Sequence, residues 1–221
     1  MKQIFKFIDV NRLYKNCVLA SVAHSIMVGE YGFLSSEQSW DENNYNFQDM
    51  EGGRGTISFS DNYFVCVIKK NINYQNYNKN IICDLLHGAA KKYVDLAHRE
   101  ALQYVLEEIN GEIIPVVSLI FWGDKDKIWA NLSQDEIFDL ADNMLKPILY
   151  DEDKAIDYWK NYYEMSLEQI ELLKKIYFKR LNNTGKIFLN NEIKKILMDW
   201  FEDIDECIES FQEINIFFIE E

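Results

Sequence analysis

Cys83 and His87 are the residues whose types and spacing come nearest to covalent chemistry. A thiol and an imidazole at i and i+4 share one face of a helix. If Asn80 caps that helix, Cys83 lies in its first turn. There the helix dipole favours the thiolate, and His87 can act as base. The pair therefore admits a small cysteine-dependent hydrolase or transferase. No G-x-S-x-G elbow and no Gly-rich oxyanion segment accompanies it, so a core cysteine beside a helix histidine is the favoured reading.

Metal chemistry has less to work with. The three histidines are His24, His87 and His98. Eleven residues of helix would hold the last two about 16 Å apart, too far to share an ion. The H-E-x-x-H pattern is absent. Cys17, Cys66, Cys83 and Cys207 are scattered and show no zinc-ligand spacing. They read as free thiols in a reducing cytoplasm. No metal and no cofactor is expected.

Glu51-Gly52-Gly53-Arg54-Gly55 has the look of a phosphate cradle but lacks the G-K-[ST] ending and leads into a strand. The favoured reading is a turn whose Arg54 pairs with Glu37, Asp41 or Glu51. The alternative is a recognition patch projecting from residues 35–54, with Glu37, Trp40, Asp41, Tyr45 and Arg54 as contacts. Trp, Tyr and Arg are enriched where binding energy concentrates.

A second candidate surface lies near the C-terminus. Asp199, Glu202, Glu206, Glu209 and Glu213 recur at 3,4,3,4 spacing, one acidic stripe on a single helix. Ile193, Leu197, Trp200, Ile204, Cys207, Phe211 and Ile214 form an apolar stripe beside it. No Lys or Arg follows Lys195. The stripe is either a solvated face or a dock for a basic protein, with attraction raising the on-rate.

Composition narrows the class. The 221 residues carry a net charge of -14 with a 48% hydrophobic share. Such a chain can bury a core, and it repels nucleic acid and anionic membranes. The start lacks an apolar run long enough for a signal peptide. The longest later run, Ile113 to Trp122, is about half a membrane span. A cytoplasmic protein without nucleic-acid or membrane partners is expected, its oligomeric state open.

The elements that must position these residues follow from periodicity and punctuation. Asp9 caps a helix over 10–28, and Gly29 and Gly32 stop it. Residues 1–8 read as an edge strand or an arm. The polar stretch 35–54 reads as an ordered loop without regular structure. A hairpin over 55–70 turns at Asp61-Asn62, which tolerate positive φ. A helix over 80–110 follows the 71–79 loop, with Gly88 as a close contact or a break. Residues 112–122 form a strand, and 123–127 a turn. Ser133 and Glu136 make a capping box for a helix over 134–146. Asp151, Ser166 and Asn190 or Asn191 open further helices to about 164, 182 and 212. The tail 214–219 adds a strand or packs on the core.

The fold class is α+β: a small antiparallel or mixed sheet (hairpin 55–70 plus strand 112–122) packed with long helices, and an all-helical C-terminal half. Residues 1–130 form the α+β part and 131–221 the helical part, read as one unit.

Ser35-Ser36-Glu37-Gln38-Ser39-Trp40-Asp41 and Glu51 to Phe59 resemble segments of uncharacterised bacterial proteins. The acidic α+β character more loosely resembles immunity proteins of polymorphic toxin systems. The motif match to the uncharacterised proteins covers about 25 residues and transfers no catalytic residue. The charge pattern and the loop point to a non-enzymatic binding protein, of the immunity-protein kind, that occludes a basic partner. A structural or phage-derived component is a third class.

Overall fold

The computed structural model describes every residue except 6, 7, 79, 126, 220 and 221, and the side chains of residues 76 and 142 are likewise left aside. Residues 79 and 126, within the expected loop and turn, thus lie outside the described residues. In chain order the strands and α-helices are β1 (Lys2–Ile4), α1 (Val10–Met27), β2 (Gln38–Asp41), β3 (Asn44–Gln48), β4 (Arg54–Ser60) and β5 (Tyr63–Lys69). Next come α2 (Ile81–Leu85), α3 (Lys91–Arg99), β6 (Leu106–Ile109), β7 (Glu112–Pro115), β8 (Leu119–Asp124), β9 (Ile128–Ala130) and α4 (Gln134–Ala141). The remainder is α5 (Lys146–Leu149), α6 (Glu152–Tyr162), α7 (Leu167–Leu181), β10 (Ile187–Leu189), α8 (Asn191–Trp200), α9 (Asp205–Glu213) and β11 (Ile216–Phe218).

These elements form two compact units, each assembled from two stretches of chain. The first is Met1–Tyr14 with Asp41–Lys146, and the second is Lys15–Trp40 with Pro147–Glu221. The sequence reading placed a boundary near residue 130.

A seven-stranded sheet runs in the order β1-β9-β8-β5-β4-β3-β2. Pairings from β1 through β3 are antiparallel. The hairpin expected over 55–70 is present as β4 and β5, and Ser60 faces Tyr63 across the turn. Neither Asp61 nor Asn62 takes positive φ. The N-terminal residues supply the edge strand β1. Alternate residues of β5 and β8 bury two different faces. Val65, Val67, Ile120 and Trp122 join Leu96, Ala97 and Leu102 in one core cluster. On the other face, Phe64 and Phe121 meet edge to face, and Phe5 lies 5.6 Å from Phe121 and 5.4 Å from Phe138 of α4. An apolar sequence on both strand faces is what burial between two layers requires.

Several expectations need correction. Residues 38–48 are not an irregular loop but the strands β2 and β3. The helix expected over 80–110 stops after Leu85 and resumes at Lys91, with Gly88 at φ 76 between them. A left-handed residue cannot continue a right-handed helix, and glycine takes that conformation without penalty. The strand expected over 112–122 is two strands in different sheets, because β7 pairs with β6 and β8 with β5. Pro115 ends β7 opposite Leu106 in a two-stranded ribbon, where a missing N–H is tolerated. Finally, the C-terminal half is not all-helical: β10 and β11 pair in parallel, Ile187 opposite Ile216.

In the second unit, α7 opens with a full Ser166/Gln169 capping box. Asp151 and Asn190 cap α6 and α8 through the backbone N–H groups of Lys154 and Ile193. Arg180, 9% exposed, donates from Nε to the Ile214 carbonyl at 2.7 Å and from a terminal nitrogen to the Asn183 carbonyl at 2.6 Å. It thereby ties the end of α7 to the turn before β11.

Candidate functional site

Cys83 and His87 do not share a helix. Cys83 lies in the five-residue α2, which ends at Leu85, and His87 follows in the turn, its N–H donating to the Asp84 carbonyl. Both side chains are exposed. Among the described residues no hydrogen bond joins them, and no cluster of three metal-ligating side chains forms.

The residues selected from 35–54 serve several structural roles. In the second unit, the Glu37 carboxylate accepts from the hydroxyls of Tyr162 and Tyr163, the latter at 2.9 Å. The Tyr163 hydroxyl is also 3.1 Å from Nδ1 of His24, which is 1% exposed. Burial lowers the His24 pKa to about 4, against the opposing effect of the Ser35 backbone. Trp40 is half-buried, donating from Nε1 to the Ser21 hydroxyl at 2.7 Å and from its backbone N–H to Glu213 at 2.8 Å. Glu213 is therefore engaged within its own unit. Its burial raises the carboxyl pKa, and the Trp40 N–H opposes that rise.

In the first unit, Asp41 is exposed and accepts from the Tyr104 hydroxyl at 2.6 Å. Tyr45 is 1% exposed and stacks on Phe47 at 5.6 Å. It belongs to the core, not to a projecting patch, because β3 turns that side chain inward. Arg54 is half-exposed, and its nearest acid is Glu107 at 3.9 Å, not Glu37, Asp41 or Glu51.

The Gly-rich segment is a turn closed by its own chain. Asp49 accepts from the backbone N–H groups of Glu51 and Gly53 at 2.9 and 2.7 Å, and from Nζ of the buried Lys70 at 2.7 Å. Burial pushes the Asp49 carboxyl up, but Lys70 and the two N–H groups together hold it below the usual range. The N–H groups that would cradle a phosphate are thus taken by a carboxylate. A Cβ on Gly53 would stand 2.6 Å from Asp49 Oδ2, so a glycine lets the carboxylate approach.

The acidic stripe does not run along one helix. Phe201 to Ile204 separate α8 from α9. Asp199 stands near the end of α8, Glu202 in the break, and Glu206 and Glu209 on α9, all four exposed. Asp199 nevertheless joins a site that the stripe did not disclose. A groove of about 420 Å³ within the second unit is lined from α7 by Glu168, Glu171, Leu172 and Lys175, and from α8 by Ile196, Asp199 and Trp200. Helical arithmetic explains the set. Glu168, Glu171 or Leu172, and Lys175 follow each other by three or four residues, as do Ile196 and Asp199 or Trp200, so each helix offers one face.

Leu172 is buried, Trp200 is half-buried and Ile196 is 37% exposed. Three carboxylates and one ammonium border this apolar strip. The groove can receive an apolar side chain flanked by cations. Glu168, Glu171, Leu172, Lys175 and Ile196 had not been singled out in the sequence; their spacing was legible, but not the pairing of α7 with α8.

No protein-family model, curated protein or solved structure matches the chain.

Proposed function

We propose that the chain is a non-enzymatic acidic binding protein that occludes a basic protein partner, in the manner of a toxin-neutralising immunity protein. The observation that carries this reading is the α7/α8 groove, where Glu168, Glu171 and Asp199 edge an apolar strip of Leu172, Ile196 and Trp200. Further along the chain Glu202, Glu206 and Glu209 add acids, with no Lys or Arg after Lys195. A helix or loop bearing Lys or Arg around a few apolar side chains is complementary to both features. The charges steer the encounter, and the apolar centre slows dissociation.

The cytoplasm is the proposed location, since Cys17, Cys66, Cys83 and Cys207 are all free thiols. Among the described residues no helix is long and apolar enough to cross a membrane.

Calorimetric titration with a synthetic Lys/Leu amphipathic peptide tests the reading. Binding should weaken about tenfold or more in a Glu168→Lys/Glu171→Lys/Asp199→Lys variant. It should persist in Asp157→Lys, a reversal at an exposed acid on α6 outside the groove lining. Equal affinity of the triple variant and the unaltered chain would sink the proposal.

A further inference from the structure

The first unit contains a second, chemically different cavity. A cleft of about 620 Å³ opens among the β2–β3 turn, the β4–β5 turn, the start of α1 and the end of α3. Its volume falls within the usual range for small-molecule sites. The lining differs from that of the acidic groove. Glu42, Asp61 and Glu100 stand opposite two cations, Arg99 and Lys125, and the side-chain amides of Asn11, Asn43 and Asn62 lie among them. Tyr14 and Phe59 supply an aromatic wall, their rings edge to face at 5.4 Å.

This lining selects by hydrogen bonding, not by net charge. Arg99 is committed to Glu100, with Nε 2.9 Å from the carboxylate, which leaves one ammonium against two carboxylates. A phosphate or other polyanion is poorly matched. A purely apolar ligand would leave the amides without partners. Asn44 stands in the wall of the cleft. It is 4% exposed, and its Nδ2 donates to the Asp41 carbonyl at 3.1 Å and to Glu100 at 3.4 Å. Its Oδ1 has no hydrogen-bond partner among the described residues. A buried acceptor without a donor costs about 1–3 kcal/mol, but this oxygen is closed off from the cleft, so it marks strain in the wall and not a ligand contact.

We propose that this cleft binds a small neutral saccharide of one or two rings. Each sugar hydroxyl both donates and accepts. It can therefore donate to Glu42 or Asp61 while accepting from an asparagine amide or Lys125. The C–H face of the ring packs on the Tyr14/Phe59 wall. Carboxylates, amides and an aromatic surface in one cleft meet all three requirements together.

Saturation-transfer NMR on the full chain tests this, using methyl glucoside, methyl galactoside, N-acetylglucosamine and cellobiose as probes and adenosine monophosphate as the charged comparison. Transfer to the ring protons of at least one saccharide is expected. Affinity should drop about tenfold in Asn11→Ala/Asn62→Ala, which removes two amide partners at exposed positions. Lys125→Ala, tested separately, should weaken the same saccharide if the double variant does not fold. The proposal is overturned if no saccharide receives saturation, if the folded variants bind it unchanged, or if only adenosine monophosphate responds.

Discussion

His24 is buried beside the Tyr163 hydroxyl, and its pKa is lowered to about 4. An unfolded imidazole takes its proton near 6.5, so between 6.5 and about 4 only the unfolded chain is protonated. Above that window the group is neutral in both states and has no effect. As pH falls through the window, stability is lost, on the order of 3 kcal/mol in all. Thermal melts of His24→Gln should show a flatter dependence on pH across this range than the unaltered chain. Parallel curves would remove His24 as the cause. At this scale the sequence disclosed residue types but not their surroundings. Trp40 and Glu37 were read as contacts of a recognition patch, and nothing local announces Ser21 or Tyr163 as their partners. Tyr45 shows the converse, because a tyrosine in a polar stretch gives no sign that β3 turns it inward.

Helix starts were the most legible elements. Asp9, Ser133, Asp151, Ser166 and Asn190 each accept from a backbone N–H three residues on, because capping is a local interaction. Helix ends were harder. Gly88 was noted as costly, and it ends one helical segment before the next begins. Two glycine substitutions separate backbone conformation from packing. Gly88→Ala places a Cβ in open space but at φ 76, so its cost of about 1 kcal/mol is conformational. Gly29→Ala keeps an ordinary φ but brings a Cβ within 2.8 Å of the Phe201 ring and 3.0 Å of Cys207 Sγ, an overpacking cost of about 1–3 kcal/mol. In urea melts, Gly88→Asn should recover part of the first loss, since asparagine tolerates the left-handed region. Gly29→Ala combined with Phe201→Leu should recover part of the second. Failure of either rescue would reassign that glycine.

At the scale of the whole molecule, 37 acids face 23 basic residues. Acidic side chains crowd α9 and the segment before it without basic neighbours in sequence. Raising ionic strength from very low to physiological shortens the screening length to about 8 Å. The folded state, which concentrates these charges, should gain more from that screening than the unfolded chain. Calorimetry should show Tm rising with sodium chloride over this range, by about 2–4 °C for each kcal/mol gained. A falling Tm would mean that attractive ion pairs, such as Lys70 with Asp49, outweigh the repulsion. The discontinuous division of the chain was not legible at all. Stretches 1–14 and 41–146 share one unit through long-range strand pairing, and no local signal encodes which distant segments meet.

The sequence alone determined the α+β class, the acidic balance, the β4–β5 hairpin and the helix starts that carry a side-chain cap. Each depends on residues within a few positions of one another: alternation, turn chemistry, a cap and its N–H. Tertiary structure decided the rest. It split 112–122 between two sheets, separated Cys83 and His87 from a common helix, and paired α7 with α8 around an apolar strip edged by acids. Those outcomes depend on what lies across a core or a groove, and that is set by the free energy of burying surfaces far apart in the chain.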